Sequence, residues 1–201
     1  MITTAPQAGI GGILLLILQS AYFLIPAYCA NMIPPIAKRF KMFEFLNIPV
    51  DFGKKSHDGR PIFGKNKTYR GFLVGIIGGL IGAFIQMFLF RFSLFQTLSV
   101  NGIDYTNPQT IILIGVLMGA GAITGDVIES YFKRRLNVDS GSSMAPWDQI
   151  DFVVGAYVFV FAFVYMYITW QLFICSLIIT FFLTVIVNHV SYYLHIRNER
   201  W

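Results

Sequence analysis

Asp126, Glu129 and Lys133 are spaced i, i+3 and i+7, so a helix through them carries two carboxylates and a cation on one face. Ser130 and Arg134 form an adjacent i, i+4 pair, and Asp148 and Asp151 follow three residues apart. Carboxylate oxygens suit hard divalent cations, and Mg²⁺ is commonly held by one or two of them together with substrate phosphates. Asp126, Glu129, Asp148 and Asp151 are therefore candidate metal ligands, and Lys133 and Arg134 candidate phosphate binders. Salt bridging along a helix explains these residues poorly. Such a pair contributes about 0.2–0.5 kcal/mol, whereas an Asp at the centre of a membrane helix costs about 2.5–3.5 kcal/mol. Asp148 and Asp151 also suit a helix start, where acidic groups complement the backbone dipole.

A second stretch, Asp51 to Arg70, reads DFGKKSHDGRPIFGKNKTYR. Glycines let a backbone turn back on itself and approach a ligand, and Lys and Arg supply charge to phosphate. Such a loop could cradle a triphosphate, although a basic loop is also what membrane topology requires. Cys29 and Cys175 lie far apart in apolar segments and suit packing. His57 falls in the loop, and His189 and His195, six apart, do not share a helix face, so no zinc site is expected.

The elements that must position these groups follow from composition. The chain has 201 residues, 56% hydrophobic and only 12% charged, against about 25% charged in an average soluble domain. Uncharged stretches run from Met1 to Ala37, Gly71 to Phe90, Tyr105 to Gly125 and Phe152 to Ile196. About 20 apolar residues cross a bilayer, so the first three hold one span each and the last holds two. The first span, Gly9 to Asn31, is expected to kink at Pro26, where a neighbouring helix can satisfy the freed carbonyl, and to end at Pro34-Pro35. No charged n-region precedes it, so it is expected to remain as a span. Ile36 to Leu46 mixes basic and aromatic residues as a short helix at the headgroup surface would. Span 2, Gly71 to Phe90, carries Gly75, Gly78, Gly79 and Gly82, and span 3, from Gln109, carries Gly115, Gly119 and Gly121. These are small-residue faces for close packing, which serve a homodimer or packing within one chain equally. Spans 4 and 5 are expected to turn near Trp170-Gln171, with Tyr165, Tyr167 and Trp170 at the outer interface.

The predicted fold is an all-α integral membrane protein of five transmembrane helices in a single domain, 1–201. With five spans, every basic group except Arg91 falls on one side, which the positive-inside rule makes the cytoplasm. The N-terminus is then outside and the C-terminus cytoplasmic. The two reactive stretches become cytoplasmic loops, 32–70 and 125–151, that meet to form the active site. The expected location is the cell membrane, multi-pass, with the site facing the cytoplasm and no nucleic-acid partner.

GDVIESYFKRR followed by WDQID resembles the signature of the integral-membrane phosphatidate cytidylyltransferase family, Ser-x-x-Lys-Arg ending in Asp-Arg-x-Asp. Ser130, Lys133, Arg134, Asp148 and Asp151 match, with Gln149 in place of the Arg. GKNKTYRGFLVG resembles the family's Lys-Thr-Trp-Glu-Gly-Phe motif through Lys67, Thr68, Gly71 and Phe72. The His-Gly-Gly triplet before the last Asp pair is missing, and Val138 stands where a Lys precedes Asp139. The compact chain looks like the archaeal branch, the CDP-archaeol synthases. The resemblance implies transfer of a cytidylyl group from CTP to an unsaturated, geranylgeranyl-bearing ether lipid phosphate, with release of pyrophosphate and a need for Mg²⁺. It further implies Asp126, Lys133, Asp148 and Asp151 as catalytic residues. Gly64, Lys65, Asn66, Lys67, Thr68, Arg70, Ser130 and Arg134 would bind the nucleotide. A CTP-dependent polyprenol kinase of related fold, and a transporter with carboxylates along its pathway, are the competing readings.

Overall fold

The computed structural model describes residues 9–138, 142 and 144–193, the side chains of 190 and 191 excepted. Asp139, Ser140, Gly141, Ser143, His195, Arg197 and Arg200 lie outside the described residues. The helices are α1 (Ile10–Phe23), α2 (Ile25–Arg39), α3 (Tyr69–Leu89), α4 (Ser93–Leu98), α5 (Pro108–Arg135), α6 (Trp147–Val164) and α7 (Trp170–Tyr193). Among the described residues no extended strand forms; isolated bridges join Pro49 to Thr68 and Lys55 to Pro61. Four helices are long and apolar enough to cross a membrane, and α1 with α2 makes a fifth candidate span bent by 47°.

The bend has a cause in covalent chemistry. Pro26 has no N–H with which to reach the Tyr22 carbonyl, so the helical ladder breaks there. Gln86 of α3 repairs the loss: its Nε2 donates to the Tyr22 carbonyl at 2.6 Å, and the Tyr22 hydroxyl donates back to the Gln86 carbonyl at 2.9 Å. The expected stop at Pro34-Pro35 does not occur, and α2 runs through both prolines to Arg39. Their fixed φ is compatible with the helix, although each forfeits its N–H donor. The surface helix predicted over Ile36 to Leu46 is likewise interrupted. Lys41 and Phe43 are left-handed, at φ 51° and 50°, and only a single 3₁₀ turn, Glu44–Leu46, follows. Phe40, Met42, Phe43 and Phe45 are nonetheless exposed together beside Lys38, Arg39 and Lys41, as a headgroup anchor requires.

α5 is the hub, packed on α2, α3 and α6, while α7 packs on α1 and α6. Asn107 caps its start, accepting from the Gln109 N–H at 2.9 Å, and Pro108 occupies the first turn, where no donor is needed. Its end is a Schellman turn. Asn137 adopts φ 62° and the Val138 N–H donates back to the Lys133 carbonyl at 3.0 Å. The small residues are spent at helix crossings within the chain: a methyl added at Gly79 would come within 2.7 Å of the Gly119 Cα. At the α5–α6 crossing, a methyl on Gly121 would lie 2.9 Å from the Ala156 Cα, and one on Gly155 2.9 Å from the Gly125 Cα. Main chains touch there, which draws the side chains flanking Gly125 toward α6. The last two spans turn over Tyr165 to Thr169, slightly earlier than expected, with Trp170 opening α7.

Candidate active site

The α5–α6 crossing sets the site. Asp126 follows Gly125 on α5, and Asp151 sits one turn before Gly155 on α6. Oxygens of Asp126, Glu129 and Asp151 lie within 4.8 Å of one another. Three short carboxylates reach this separation because glycine lets the two backbones meet. An all-oxygen donor set of this kind suits a hard cation such as Mg²⁺ or Ca²⁺ and offers nothing to a thiophilic metal.

Cations close the cluster on two sides. Lys67 Nζ lies 2.7 Å from Asp126 Oδ2, and Lys133 Nζ lies 2.7 Å from Glu129 Oε1 and 3.7 Å from Asp148 Oδ2. Glu129, Ser130 and Lys133 are buried, whereas Asp126, Asp151 and Lys67 are partly exposed. The sequence pairs Asp148 with Asp151, but the fold separates their contacts. Asp148 Oδ2 accepts from the Met144 N–H at 3.1 Å and leans toward Lys133, so Glu129 rather than Asp148 completes the three-carboxylate group. A residue in the first turn of a helix can fold back on the preceding loop, which spacing alone does not reveal.

Lys67 arrives from the loop between α2 and α3, and that loop is built on Asp51, which the sequence reading passed over. The buried Asp51 carboxylate accepts from the N–H groups of Gly53 (2.9 Å), Phe63 (2.9 Å) and Gly64 (3.1 Å). Gly64 is at φ 96°, a conformation that side-chain-bearing residues rarely adopt, and its carbonyl then accepts from the Lys67 N–H at 3.2 Å. The visible signal was Asp-Phe-Gly itself, an Asx-turn sequence. Burial alone would raise the Asp51 carboxyl, but the three backbone donors outweigh it and hold it below the usual carboxylate range. A carboxyl depressed in the fold contributes stability above its unfolded value of about 3.9, and that stability is lost as pH falls through the folded value. The loop should therefore stay closed from neutral pH down to about pH 4 and open only as pH falls further, through the folded value. Asp51→Ala should open it at pH 7, seen as loss of hydrogen-exchange protection at the Phe63 and Gly64 amides.

Other predicted residues are placed differently. Thr68 caps α3, its hydroxyl oxygen accepting from the Gly71 N–H at 3.2 Å. Arg70 is buried and donates to Glu44, tying the 3₁₀ turn to the start of α3. Arg134 donates to the Val138 carbonyl and borders a cavity of about 430 Å³ with Arg60, Gly64, Lys65 and Asn137. Lys65 and Asn66 are exposed at the loop's turn. The site thus has two neighbouring parts, a carboxylate cluster and a cation-lined cavity, linked through the Gly64–Lys67 turn and α5. Arg60 and Asn137 were not singled out by sequence, because only the fold carries residue 60 to the end of α5.

Comparison with known proteins identifies the family. The family model described as CarS-like: CDP-archaeol synthase matches residues 13–201. A CDP-archaeol synthase of Methanocaldococcus jannaschii is 32% identical over 186 residues, 92% of this chain and 98% of that protein. One from Methanosarcina mazei is 35% identical over 187 residues, 89% of this chain and all of that protein. A solved structure, described as an intramembrane enzyme for archaeal membrane lipid biosynthesis, superposes with a TM-score of 0.62 at 25% identity, covering 86% of this chain and 94% of that one. The match over most of the chain shows that it belongs to the CarS-like family of CDP-archaeol synthases.

Proposed function

We propose that this CTP-dependent, CDP-archaeol-forming enzyme works by direct attack of an ether-lipid phosphate on the α-phosphorus of CTP, beside Asp126, Glu129 and Asp151. The observation that carries this reading is the three-carboxylate group flanked by Lys67 and Lys133. A phosphate monoester has a second pKa of about 6, so at neutral pH its oxygen is a ready nucleophile and needs no side-chain base. The new bond joins a lipid phosphate oxygen to the α-phosphorus, the bond from that phosphorus to the bridging oxygen of the β-phosphate breaks, and pyrophosphate leaves. What the protein supplies is alignment and compensation of negative charge.

Asp126, Glu129 and Asp151 would hold Mg²⁺, which supplies charge neutralisation at the phosphates when bound. Asp148 orients Lys133, and Lys133, Arg134, Lys65 and Lys67 draw in the phosphates. Lys67 pairs with Asp126 at 2.7 Å and so lies where its ammonium can also reach a phosphate oxygen of CTP. Thr68 keeps a hydroxyl proton to donate while capping α3. Gly64 and Asn66 shape the turn, and Arg70 holds the loop through Glu44. We place the chain in the cell membrane as one domain of five spans, the bent α1–α2 pair counting as one. The stretches 32–70 and 125–151, which hold twelve of the fifteen Lys and Arg residues, face the cytoplasm, where CTP is found. The glycine faces of α3 and α5 are occupied within the chain, so a homodimer would use other surfaces.

CTP labelled in the α-phosphate, incubated with purified protein, Mg²⁺ and the geranylgeranyl ether-lipid phosphate, should put its label into the lipid product. Absence of label there rejects the reading. Transfer of label from the γ-phosphate instead would identify a kinase.

A further inference from the structure

We infer that Asp58 and Arg135 are positioning residues for the nucleotide, forming a latch that clasps the Lys54–Ile62 hairpin to the end of α5 and so holds Arg60 and Lys65 around the cation-lined cavity. The inference rests on the cytidylyltransferase reading and deepens it. Arg135 Nη1 donates to Asp58 Oδ1 at 2.6 Å and its Nη2 donates to the Pro61 carbonyl at 2.6 Å, so one guanidinium grips both the tip and the returning strand of the hairpin. Its plane is kept by the Tyr131 ring, 5.2 Å from the guanidinium carbon. In return, Arg60 Nη1 donates to the Arg135 carbonyl at 3.0 Å, satisfying a main-chain acceptor that the end of a helix leaves without a partner.

The Asp51 carboxylate closes the base of the hairpin through Gly53, Phe63 and Gly64, but its tip is otherwise held lightly. Inside it, Ser56 N–H donates to the Arg60 carbonyl (2.8 Å), Gly59 N–H to the Ser56 carbonyl (2.9 Å) and Arg60 N–H to Asp58 Oδ1 (3.2 Å). These bonds shape the turn but do not fix it in space. The latch does, and with it one wall of the cavity. That wall matters because, among the described residues, the charged side chains lining the cavity are Arg60, Lys65 and Arg134, all cationic. Three clustered cations repel one another, and they are kept together most usefully for a polyanion such as the triphosphate of CTP. Asp58 supplies the opposing charge on the hairpin's far side, paired to Arg135, outside the cavity lining. A partly exposed ion pair contributes little to the stability of the whole fold. Its loss should therefore appear in nucleotide affinity and leave the melting temperature nearly unchanged.

The test compares the full-length protein with Asp58→Asn, Asp58→Arg, Arg135→Glu and the exchanged pair Asp58→Arg with Arg135→Glu. Binding of CTP with Mg²⁺ is measured calorimetrically without lipid, alongside KM for each substrate, kcat and Tm. Each single change is expected to weaken CTP binding by about 5- to 10-fold and to raise KM for CTP in parallel. Values of kcat, KM for the lipid phosphate and Tm should stay near those of the unchanged protein. The exchanged pair should recover part of the CTP affinity, the part owed to the Asp58–Arg135 charge pair, because a carboxylate at position 135 cannot donate to the Pro61 carbonyl. Unchanged CTP affinity in the single variants, a fall in Tm that accounts for the loss, or no recovery in the exchanged pair would each overturn the latch. CTP binding judges the latch on its own, whereas failure of the unchanged protein to make labelled CDP-lipid would defeat the functional reading.

Discussion

Asp126→Asn should lower formation of the CDP-lipid by about 10²–10³-fold, the loss typical when one electrostatic group acting on developing charge is removed. The substitution keeps the side chain's shape and falls on a partly exposed position, so expression and Tm should hold. Two contacts change together: one oxygen of the three-carboxylate group becomes an amide, and Lys67 loses its partner at 2.7 Å. Asp151→Asn should cause a similar loss without touching Lys67. In both variants the Mg²⁺ concentration needed for half-maximal rate should rise, and titrating Mg²⁺ against initial rate measures it. A wild-type rate and wild-type Mg²⁺ requirement in either variant would sink the metal role. Asp148→Asn should behave differently, reducing rate through a misplaced Lys133 while leaving the Mg²⁺ requirement unchanged.

Lys133→Met should lose both activity and stability. Lys133 is buried against Glu129, which is 7% exposed, and removing the ammonium leaves that carboxylate without its countercharge. Breaking one side of a buried ion pair costs about 3–5 kcal/mol, most of it the penalty of the charge left behind. The second change, Glu129→Gln, made on top of Lys133→Met, should restore much of the lost Tm because the stranded charge is gone, yet activity should stay absent. Thermal unfolding in detergent together with the labelled-CTP assay separates these effects. Recovery of activity along with Tm would mean that the pair serves only to hold α5 together.

Local pattern revealed much of α5. The i, i+3, i+7 spacing of Asp126, Glu129 and Lys133, on a helix continuing from the third span, matches one face of α5 as it folds. Glycine spacing identified the packed faces of α3 and α5. What escaped depends on partners distant in sequence. Asp148 and Asp151 look equivalent by spacing, but which carboxylate meets Asp126 is settled by the α5–α6 crossing. Gly155, a single glycine on α6, gave no repeating signal, although it makes that crossing possible. Asp51 was overlooked because its three partners are backbone amides, which carry no residue identity. Pro34-Pro35 misled because proline disfavours a helix interior without forbidding it, and its fixed φ is itself helical.

The main-chain contact at Gly121, Gly125 and Gly155 changes how a mutational survey of this enzyme should be read. An Asp side chain has only two rotatable bonds, so Asp126 and Asp151 cannot stretch to compensate for a widened helix gap. A methyl group on Gly155, a residue with no chemistry of its own, would move one reactive oxygen relative to another as effectively as replacing the Asp. Scored by product alone, such glycines would rank with the carboxylates as indispensable. Scored by protein recovered from the membrane, they would separate from them, because the carboxylate variants should assemble and the glycine variants should not.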